Sequence, residues 1–238
     1  MNNARIIAVT QPTISASVTP IYDESGFQIG ESPDSYLTVD EFIAYVARVS
    51  NPSNQNNTLT ATKLLRYLAK HKHWSPFEMV NIVMEIETTR DIARQILRHR
   101  SFSFQEFSQR YADPTQDLGF IKREARLQDT KNRQNSIETD NEELQKRWAD
   151  MQWELENEVR DMYEWAIENG IAKEQARAVL PEGLTISRMY MNGTLRSWIH
   201  YCQLRMGPET QKEHREVATD AWYQITEKFP SLKDALDL

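Results

Sequence analysis

The amino-acid sequence predicts an α+β fold: a single domain in which a mostly antiparallel sheet packs with several helices, one of them long. Apolar and polar residues alternate along 80–87, which is the period of a strand with one buried face. Along 140–169, apolar residues recur every three or four positions, as in an amphipathic helix. Strands and helices follow no repeating βαβ order, so a doubly wound sheet is not favoured.

The N-terminal part of the chain contains one clear strand and one clear helix start. The β-branched, apolar run 5–10 predicts a strand. The next segment, 11–38, is rich in Pro, Ser, Gly and Asp and predicts a loop with a hairpin around Gly26. A Thr-x-x-Glu capping box at Thr38 then begins a helix that runs to Val49.

The later elements follow from the same two periodicities and from helix-ending residues. Gly170 follows the long helix as a residue just past its C-terminus, and Pro181 ends a short helix. In chain order we expect a helix over 64–72, a strand over 80–86, a helix over 92–97, a loop-rich segment over 112–139, the long helix over about 140–169, a short helix over 173–180, a strand over 185–191, a helix over 194–206 and a last helix over 208–229.

Composition excludes several classes of protein. With 39% hydrophobic and 26% charged residues, the 238-residue chain resembles an ordinary globular protein, and we expect one domain, 1–238, with a variable N-terminal strand and loop over 1–40. Cys202 is the lone cysteine, which excludes a disulfide framework and a multi-cysteine metal site. No signal peptide or membrane span is evident, so a cytoplasmic protein with no membrane partner is expected. The spacing of histidines and carboxylates indicates no metal site, so no metal is expected. The net charge of −7 argues against a nucleic-acid partner.

Positive charge is nevertheless concentrated in the segment 98–111, which interleaves arginines, hydroxyl groups and aromatic rings. Guanidinium groups bind phosphate through paired hydrogen bonds, and aromatic rings stack on planar ligands, so a nucleotide is the expected ligand. The seven glycines form no phosphate-binding loop, so side chains and helix ends must hold any phosphate. Three alternatives stay open: ordinary surface residues after a helix, a nucleotide- or RNA-binding module that uses 98–111, and an assembly protein that uses the long helix.

The spacing within 98–111 resembles the signature of the flavin-dependent thymidylate synthases. In that signature Arg-His-Arg is followed by seven residues, a Ser and, after one further residue, Arg-Tyr. The matching positions are Arg98, His99, Arg100, Ser103, Glu106, Ser108, Arg110 and Tyr111. Further blocks that resemble the family lie at 47–50, 73–78, 93–95, 174–181, 195–197 and 204–205. Gln105 and Met79 depart from the family pattern.

This resemblance implies an activity, cofactors and an assembly. The reaction is methylation of dUMP at C5 to give dTMP, with methylenetetrahydrofolate as carbon donor, tightly bound FAD as hydride carrier and NADPH as reductant. The family also implies a homotetramer whose active sites combine several subunits. The implied flavin-binding residues are Ser75, Arg98, His99, Arg100, Glu106, Arg196 and His200. The implied dUMP-binding residues are Gln95, Arg98, Glu106, Phe107, Ser108, Gln109, Arg110, Arg177 and Arg205.

Residue chemistry suggests roles within this set. Uracil C5 is a poor nucleophile, and a guanidinium that stabilises negative charge on the ring oxygens activates it without losing its own proton. Arg205 is predicted to have this catalytic role, with Arg110 and Arg177 on the phosphate. Ser108 is the second catalytic candidate, but as a covalent nucleophile it is disfavoured because no histidine or lysine base is evident beside it in the sequence, which leaves a base brought there by the fold. Cys202 is expected to be a small buried residue and not a nucleophile.

The helix predicted over 194–206 carries candidate residues on two sides. Arg196 and Arg205 are nine positions apart, about two and a half turns, so they point in opposite directions, whereas Arg196 and His200 share a face. This helix therefore either separates flavin contacts from nucleotide contacts or serves two neighbouring sites. A solvated surface cation is the alternative interpretation of Arg196.

Overall fold

The computed structural model describes residues 3–233, 235 and 236. The chain forms two compact units: the first contains Met1–Arg5, Met84–Met191 and Tyr201–Ala221, and the second contains Ile6–Val83, Asn192–His200 and Trp222–Leu238. The single domain expected over 1–238 stays a prediction, and its outermost residues lie outside the described ones.

Helices and strands are mixed along the chain, as the sequence predicts. In chain order they are β1 Asn3–Val9, β2 Ser15–Tyr22, β3 Gln28–Tyr36, α1 Val39–Ala47, α2 Ala61–Lys70, β4 Asn81–Thr89, α3 Arg90–Ile96, β5 Ser103–Glu106, α4 Pro114–Asp117, β6 Arg126–Gln128, β7 Ser136–Glu138, α5 Glu142–Glu168, α6 Lys173–Ala176, β8 Ile186–Thr194, α7 Leu195–Arg205, α8 Lys212–Lys228 and α9 Pro230–Lys233. Short 3₁₀ turns lie at Pro52–Asn54, Ser75–Met79 and Arg177–Val179. None of the helices in the described part of the chain has the length and apolar composition that crossing a bilayer requires.

A four-stranded sheet has the strand order β1-β4-β8-β5. The Arg90 N–H donates to the Thr185 carbonyl, and the Leu195 N–H donates to the Val80 carbonyl. Residue numbers therefore rise along β4 while they fall along β8, which makes this pair antiparallel. Along β4 every second residue from Ile82 to Thr88 is buried, so the predicted strand with one buried face and the α+β fold class are confirmed.

The long helix α5 confirms the element predicted over 140–169. The Asn141 side chain caps its N-terminus, and Gly170 follows its end with a φ of +77°, a conformation that glycine adopts without a Cβ penalty. Its apolar stripe, however, is only partly covered. Val159 and Tyr163 are buried in a cluster with α6, whereas five members of the stripe are 38–46% exposed: Leu144, Trp148, Met151, Leu155 and Met162.

The predicted capping box is formed in the second unit. The Glu41 N–H donates to the Thr38 hydroxyl oxygen, and the Thr38 N–H donates to the Glu41 carboxylate. The hairpin around Gly26 is also present, as the antiparallel pair β2–β3. Strands occupy more of 11–38 than the composition predicts, because each strand of a two-stranded hairpin has one unpaired edge and therefore tolerates proline.

Two loop-rich parts of the first unit differ in detail from their predictions. Segment 112–139 contains the short helix α4 and the antiparallel pair β6–β7. The last long helix, α8, begins at Lys212 and not near Pro208, because the Thr210 N–H donates to the Gly207 carbonyl in a turn that precedes it.

Candidate active site

The Arg-His-Arg motif lies just past the end of α3. The His99 N–H donates to the Ile96 carbonyl at 3.0 Å, which ends the helix in a tight turn. Gln95 and His99 are one helical turn apart and are both partly buried, whereas Arg98 and Arg100 are exposed. This turn therefore places one amide and one imidazole towards the protein and two guanidinium groups towards solvent.

Arg205 in the last turn of α7 contacts this motif directly. Its Nε donates to the His99 Nε2 at 2.9 Å, across 106 positions of sequence. The His99 ring also lies edge-on to Tyr201, with 5.0 Å between ring centroids. Burial, and to a lesser extent the charge of Arg205, lower the pKa of His99 to about 4. A neutral imidazole is what the contact requires, because a protonated ring has no lone pair to accept the Arg205 hydrogen bond.

A second imidazole, His214 on α8, is fully buried beside the first. Its Nδ1 lies 3.3 Å from the Gln95 Oε1, and its Nε2 lies 3.1 Å from the Tyr201 hydroxyl. Burial, together with the charges of Arg205 and His99, lowers the pKa of His214 to about 3. Side-chain hydrogen bonds thus hold His99 against α7 and Gln95 against α8.

The contacts of Gln95 continue to a buried ion pair. Its Nε2 donates to the Gln211 Oε1 at 2.8 Å, and the Gln211 Nε2 donates to the Glu213 carboxylate at 2.9 Å. The same carboxylate pairs with Arg126 at 2.5 Å, and both side chains of that pair are 10% exposed. Burial opposes ionisation of Glu213, but hydrogen bonds and the Arg126 charge hold its pKa below the usual value.

The two arginines predicted to hold the phosphate are joined through one residue. Arg110 pairs with the Glu174 carboxylate at 3.4 Å, and the Arg177 Nε donates to the Glu174 carbonyl oxygen at 3.2 Å. The Ser108 hydroxyl oxygen accepts from the Arg110 N–H at 3.4 Å. In the described part of the chain no histidine or lysine side chain hydrogen-bonds to Ser108, so the geometry provides no base for a serine nucleophile.

Glu106 and its neighbours have mostly internal contacts. The Glu106 carboxylate accepts from the Ser187 hydroxyl at 2.9 Å and lies 3.6 Å from the buried Arg90 guanidinium. The Phe107 N–H donates to the Arg188 carbonyl, which fixes the backbone after β5. Gln109 is 4% exposed, and within the described residues its amide nitrogen has no hydrogen-bond partner. A buried amide N–H without an acceptor lowers the stability of the fold unless a ligand or water accepts a hydrogen bond from it.

The remaining flavin candidates lie in the second unit. Arg196 near the start of α7 is ion-paired with Glu78 in the Ser75–Met79 turn. His200 lies edge-on to Trp74, with 5.1 Å between ring centroids. Because both contacts are made to the 74–78 region, the predicted common face of Arg196 and His200 is confirmed. Ser75 is exposed at the start of the same turn.

Cys202 is buried on α7, in the first unit. Burial raises the pKa of its thiol far above the usual value, so the thiol stays protonated. The expected small buried residue is confirmed. A buried, protonated thiol is a poor nucleophile.

Comparison with known proteins now adds to this geometry. A family described as "Thymidylate synthase complementing protein" matches residues 35–231. The chain is 44% identical over 235 residues to a "Probable flavin-dependent thymidylate synthase" of Paramecium bursaria Chlorella virus 1, and 44% identical over 235 residues to a "Flavin-dependent thymidylate synthase" of Synechocystis sp.; each alignment covers 99% of both chains. The chain belongs to the flavin-dependent thymidylate synthase family. The expectation of an enzyme of this family is thereby confirmed.

Solved structures share the fold of this chain. A UMP/dUMP methylase, PolB from Streptomyces cacaoi, solved with 5-Br dUMP, has a TM-score of 0.71 and 22% sequence identity. The match covers 99% of this chain and 94% of that one. At this identity the likeness supports the α+β fold and carries no residue assignment.

The structure brings most candidate residues of this family member into the first unit. Those residues are Gln95, Arg98, His99, Arg100, Glu106, Phe107, Ser108, Gln109, Arg110, Arg177 and Arg205, and the second unit contains Ser75, Arg196 and His200. Their roles stay predictions. Sequence reasoning missed His214, although one indication was available: His214 is in helical register with Val217 and Ala218 on the buried face of α8.

Proposed function

We propose that the protein catalyses the reductive methylation of dUMP to dTMP, with methylenetetrahydrofolate as carbon donor, FAD as the tightly bound flavin and NADPH as reductant. Full-length relatives named flavin-dependent thymidylate synthases support this proposal. The structural observation that carries it is the Arg205–His99 hydrogen bond, because it joins the predicted ring-activating guanidinium to the 98–111 segment.

The dUMP-binding role is supported by charge and by buried polar groups of the first unit. Arg110 contacts the Glu174 carboxylate and Arg177 contacts the Glu174 carbonyl oxygen, and guanidinium groups suit a phosphate dianion. The Gln109 amide nitrogen, which has no hydrogen-bond partner among the described residues, provides a further donor. Arg205 would stabilise negative charge on the uracil ring. Its Nε is engaged by His99, which fixes the direction of the guanidinium before substrate arrives.

The residues present also fit a flavin. Arg98 and Arg100 are exposed guanidinium groups that suit a pyrophosphate, and His99 is a neutral ring. In the second unit, Arg196 and His200 would provide further contacts. When bound, FAD would supply the hydride chemistry, while the chain would bind and orient the reactants.

A homotetramer is part of the proposal and is supported by α5. Five apolar side chains at helical spacing on α5 are 38–46% exposed: Leu144, Trp148, Met151, Leu155 and Met162. An exposed apolar stripe along one face of a helix suggests a surface that another subunit covers. Light scattering of the purified protein should give a tetramer mass, and a monomer mass would contradict this part of the proposal. A cytoplasmic location, without nucleic-acid or membrane partners, is proposed as well.

The activity is tested by two measurements on the purified protein. We expect visible flavin absorbance that changes when dUMP is added. We also expect release of tritium from 5-labelled dUMP when methylenetetrahydrofolate and NADPH are present. A colourless protein that takes up no FAD, or salt-dependent RNA binding without dUMP affinity, would favour the nucleotide- or RNA-binding alternative.

A further inference from the structure

His214 is a buried histidine whose two ring nitrogens contact two different helices. The ring lies on α8 and is 0% exposed. Its Nδ1 faces the Gln95 amide oxygen next to the Arg-His-Arg motif, and its Nε2 faces the Tyr201 hydroxyl on α7, the helix that carries Arg205. A buried imidazole needs a partner for each ring nitrogen, and here those partners lie next to the Arg-His-Arg motif and on the helix that carries Arg205.

The direction of every hydrogen bond in this network follows from one carboxylate. Glu213, paired with Arg126, can only accept, so the Gln211 amide must present its NH₂ group to it. Gln211 then presents its oxygen to the Gln95 NH₂ group.

The same logic extends from Gln95 to the imidazole. With its NH₂ group turned to Gln211, Gln95 presents its oxygen to His214. An amide oxygen cannot donate, so the His214 proton is on Nδ1. Nε2 therefore accepts from the Tyr201 hydroxyl. Hydrogen bonds that run in one direction polarise one another, which strengthens the arrangement.

We propose that His214 is a positioning residue for the thymidylate synthase reaction: its Nδ1–H anchors the oxygen end of the Gln95 amide, whose orientation Gln211 sets, and so holds that amide in place to bind the pyrimidine nucleotide. This inference rests on the proposed function. After its bonds to His214 and Gln211, Gln95 keeps one N–H and one oxygen lone pair for a ligand. A uracil ring offers an N–H flanked by two carbonyl oxygens, which is complementary to such an amide edge.

Because the His214 imidazole is uncharged at neutral pH, it adds no positive charge near Arg205. The Tyr201 ring lies between the two imidazoles, 5.0 Å from His99 and 5.7 Å from His214 between centroids. Burial and the Arg205 charge keep both imidazoles unprotonated at neutral pH. Arg205 is therefore the cationic member of the group formed by His99, Tyr201, Arg205 and His214.

The decisive experiment is a double-mutant cycle read out as dUMP affinity, from the change in flavin absorbance of the holoenzyme. We expect His214→Leu to weaken dUMP binding about tenfold, which is the cost of losing one well-placed hydrogen bond. Gln95→Ala should then add little in the His214→Leu background, because the oxygen end of the amide is no longer held in place there. Tyr201→Phe, which removes the hydroxyl alone, should weaken dUMP binding less than His214→Leu does.

Cys202→Ala is the matched control for a purely structural effect. Cys202 is also fully buried, on α7 next to Tyr201. Its truncation should lower the melting temperature, leave dUMP affinity unchanged and be additive with Gln95→Ala. Unchanged dUMP affinity in folded His214→Leu, or full additivity with Gln95→Ala, would overturn the positioning role. Wild-type protein without dUMP affinity would instead overturn the proposed function.

A measurement on the wild-type holoenzyme tests the inference even if His214→Leu does not fold. In ¹⁵N-labelled protein the two histidine tautomers have distinct nitrogen chemical shifts. We expect His214 as the Nδ1–H tautomer throughout the neutral pH range, with or without dUMP. An Nε2–H tautomer or an imidazolium ion at neutral pH would overturn the assigned direction of the network.

Discussion

Two histidine–arginine pairs illustrate how differently the two units treat similar residues. In the first unit Arg205 donates directly to His99, and the neighbouring His214 is fully buried. In the second unit Arg196 is paired with Glu78, and the exposed His200 lies against Trp74. The pKa of all three imidazoles is lowered by burial first and by a neighbouring arginine second, but only in the first unit does it fall to about 3 or 4.

The comparison shows that burial lowers the pKa of these imidazoles more than a neighbouring arginine does. Burial therefore distinguishes the polar site of the first unit from the surface pair of the second. Desolvation penalises the imidazolium ion strongly only where water is excluded. In the first region both imidazoles are therefore uncharged and already hydrogen-bonded before any ligand binds. The second can exchange its ion pair for contacts with a ligand at small cost.

The largest expected difference concerns the two carboxylates that anchor these regions. Glu213→Gln removes one charge of a buried pair and leaves Arg126 paired with the more exposed Glu124, so we expect a loss of about 3 kcal/mol in the free energy of unfolding, the low end for a broken buried pair. Glu78→Gln breaks an ion pair whose side chains are 38–42% exposed, and we expect it to lower the free energy of unfolding by about 0–1 kcal/mol. Urea unfolding of both variants measures this contrast, and equal losses would show that the two regions do not differ.

The next effect concerns turnover. Arg205→Lys keeps the charge but loses the planar fork held by His99, so we expect kcat to fall on the order of 10²–10³-fold with the flavin retained. Arg196→Lys is the control on the same helix and should change kcat much less. Steady-state rates and the visible spectrum of each variant measure this. Near-normal turnover of Arg205→Lys would remove Arg205 from the activating role.

A smaller effect is expected in the pH dependence of stability. The pKa of His99 is about 4 and that of His214 about 3 in the folded protein, against an ordinary value of 6.5. The unfolded chain thus binds these protons more strongly, and the stability present above pH 6.5 is lost as the pH falls towards the folded-state values. Unfolding free energies measured across this interval should decline less steeply for His214→Asn than for the wild type.

The control for the pH experiment is His200→Asn, which replaces an exposed imidazole. It should leave the pH profile close to that of the wild type. A wild-type profile that is flat below pH 6.5 would be at odds with buried, neutral imidazoles in the first unit.

The sequence predicted element types well where one local pattern dominated. Alternation identified β4, and the Thr38 capping box placed the start of α1. Motif spacing also identified the 98–111 segment. Motif spacing could not predict which side chains these residues contact. Glu106 was predicted as a ligand contact, and the structure adds internal contacts with Ser187 and Arg90, each from a different part of the chain.

The amino-acid sequence alone predicted the features that depend on neighbouring positions: strand period, helix caps, the excess of cations in 98–111 and the family signature. The folded arrangement was needed for contacts between distant positions. His214 and Gln95 are 119 positions apart, and their hydrogen bond depends on where three helices pack. The protonation state of His214 follows from burial, which is a property of the whole unit. The exposure of the α5 stripe is likewise visible only in the fold, because periodicity identifies an apolar face but not the surface that covers it.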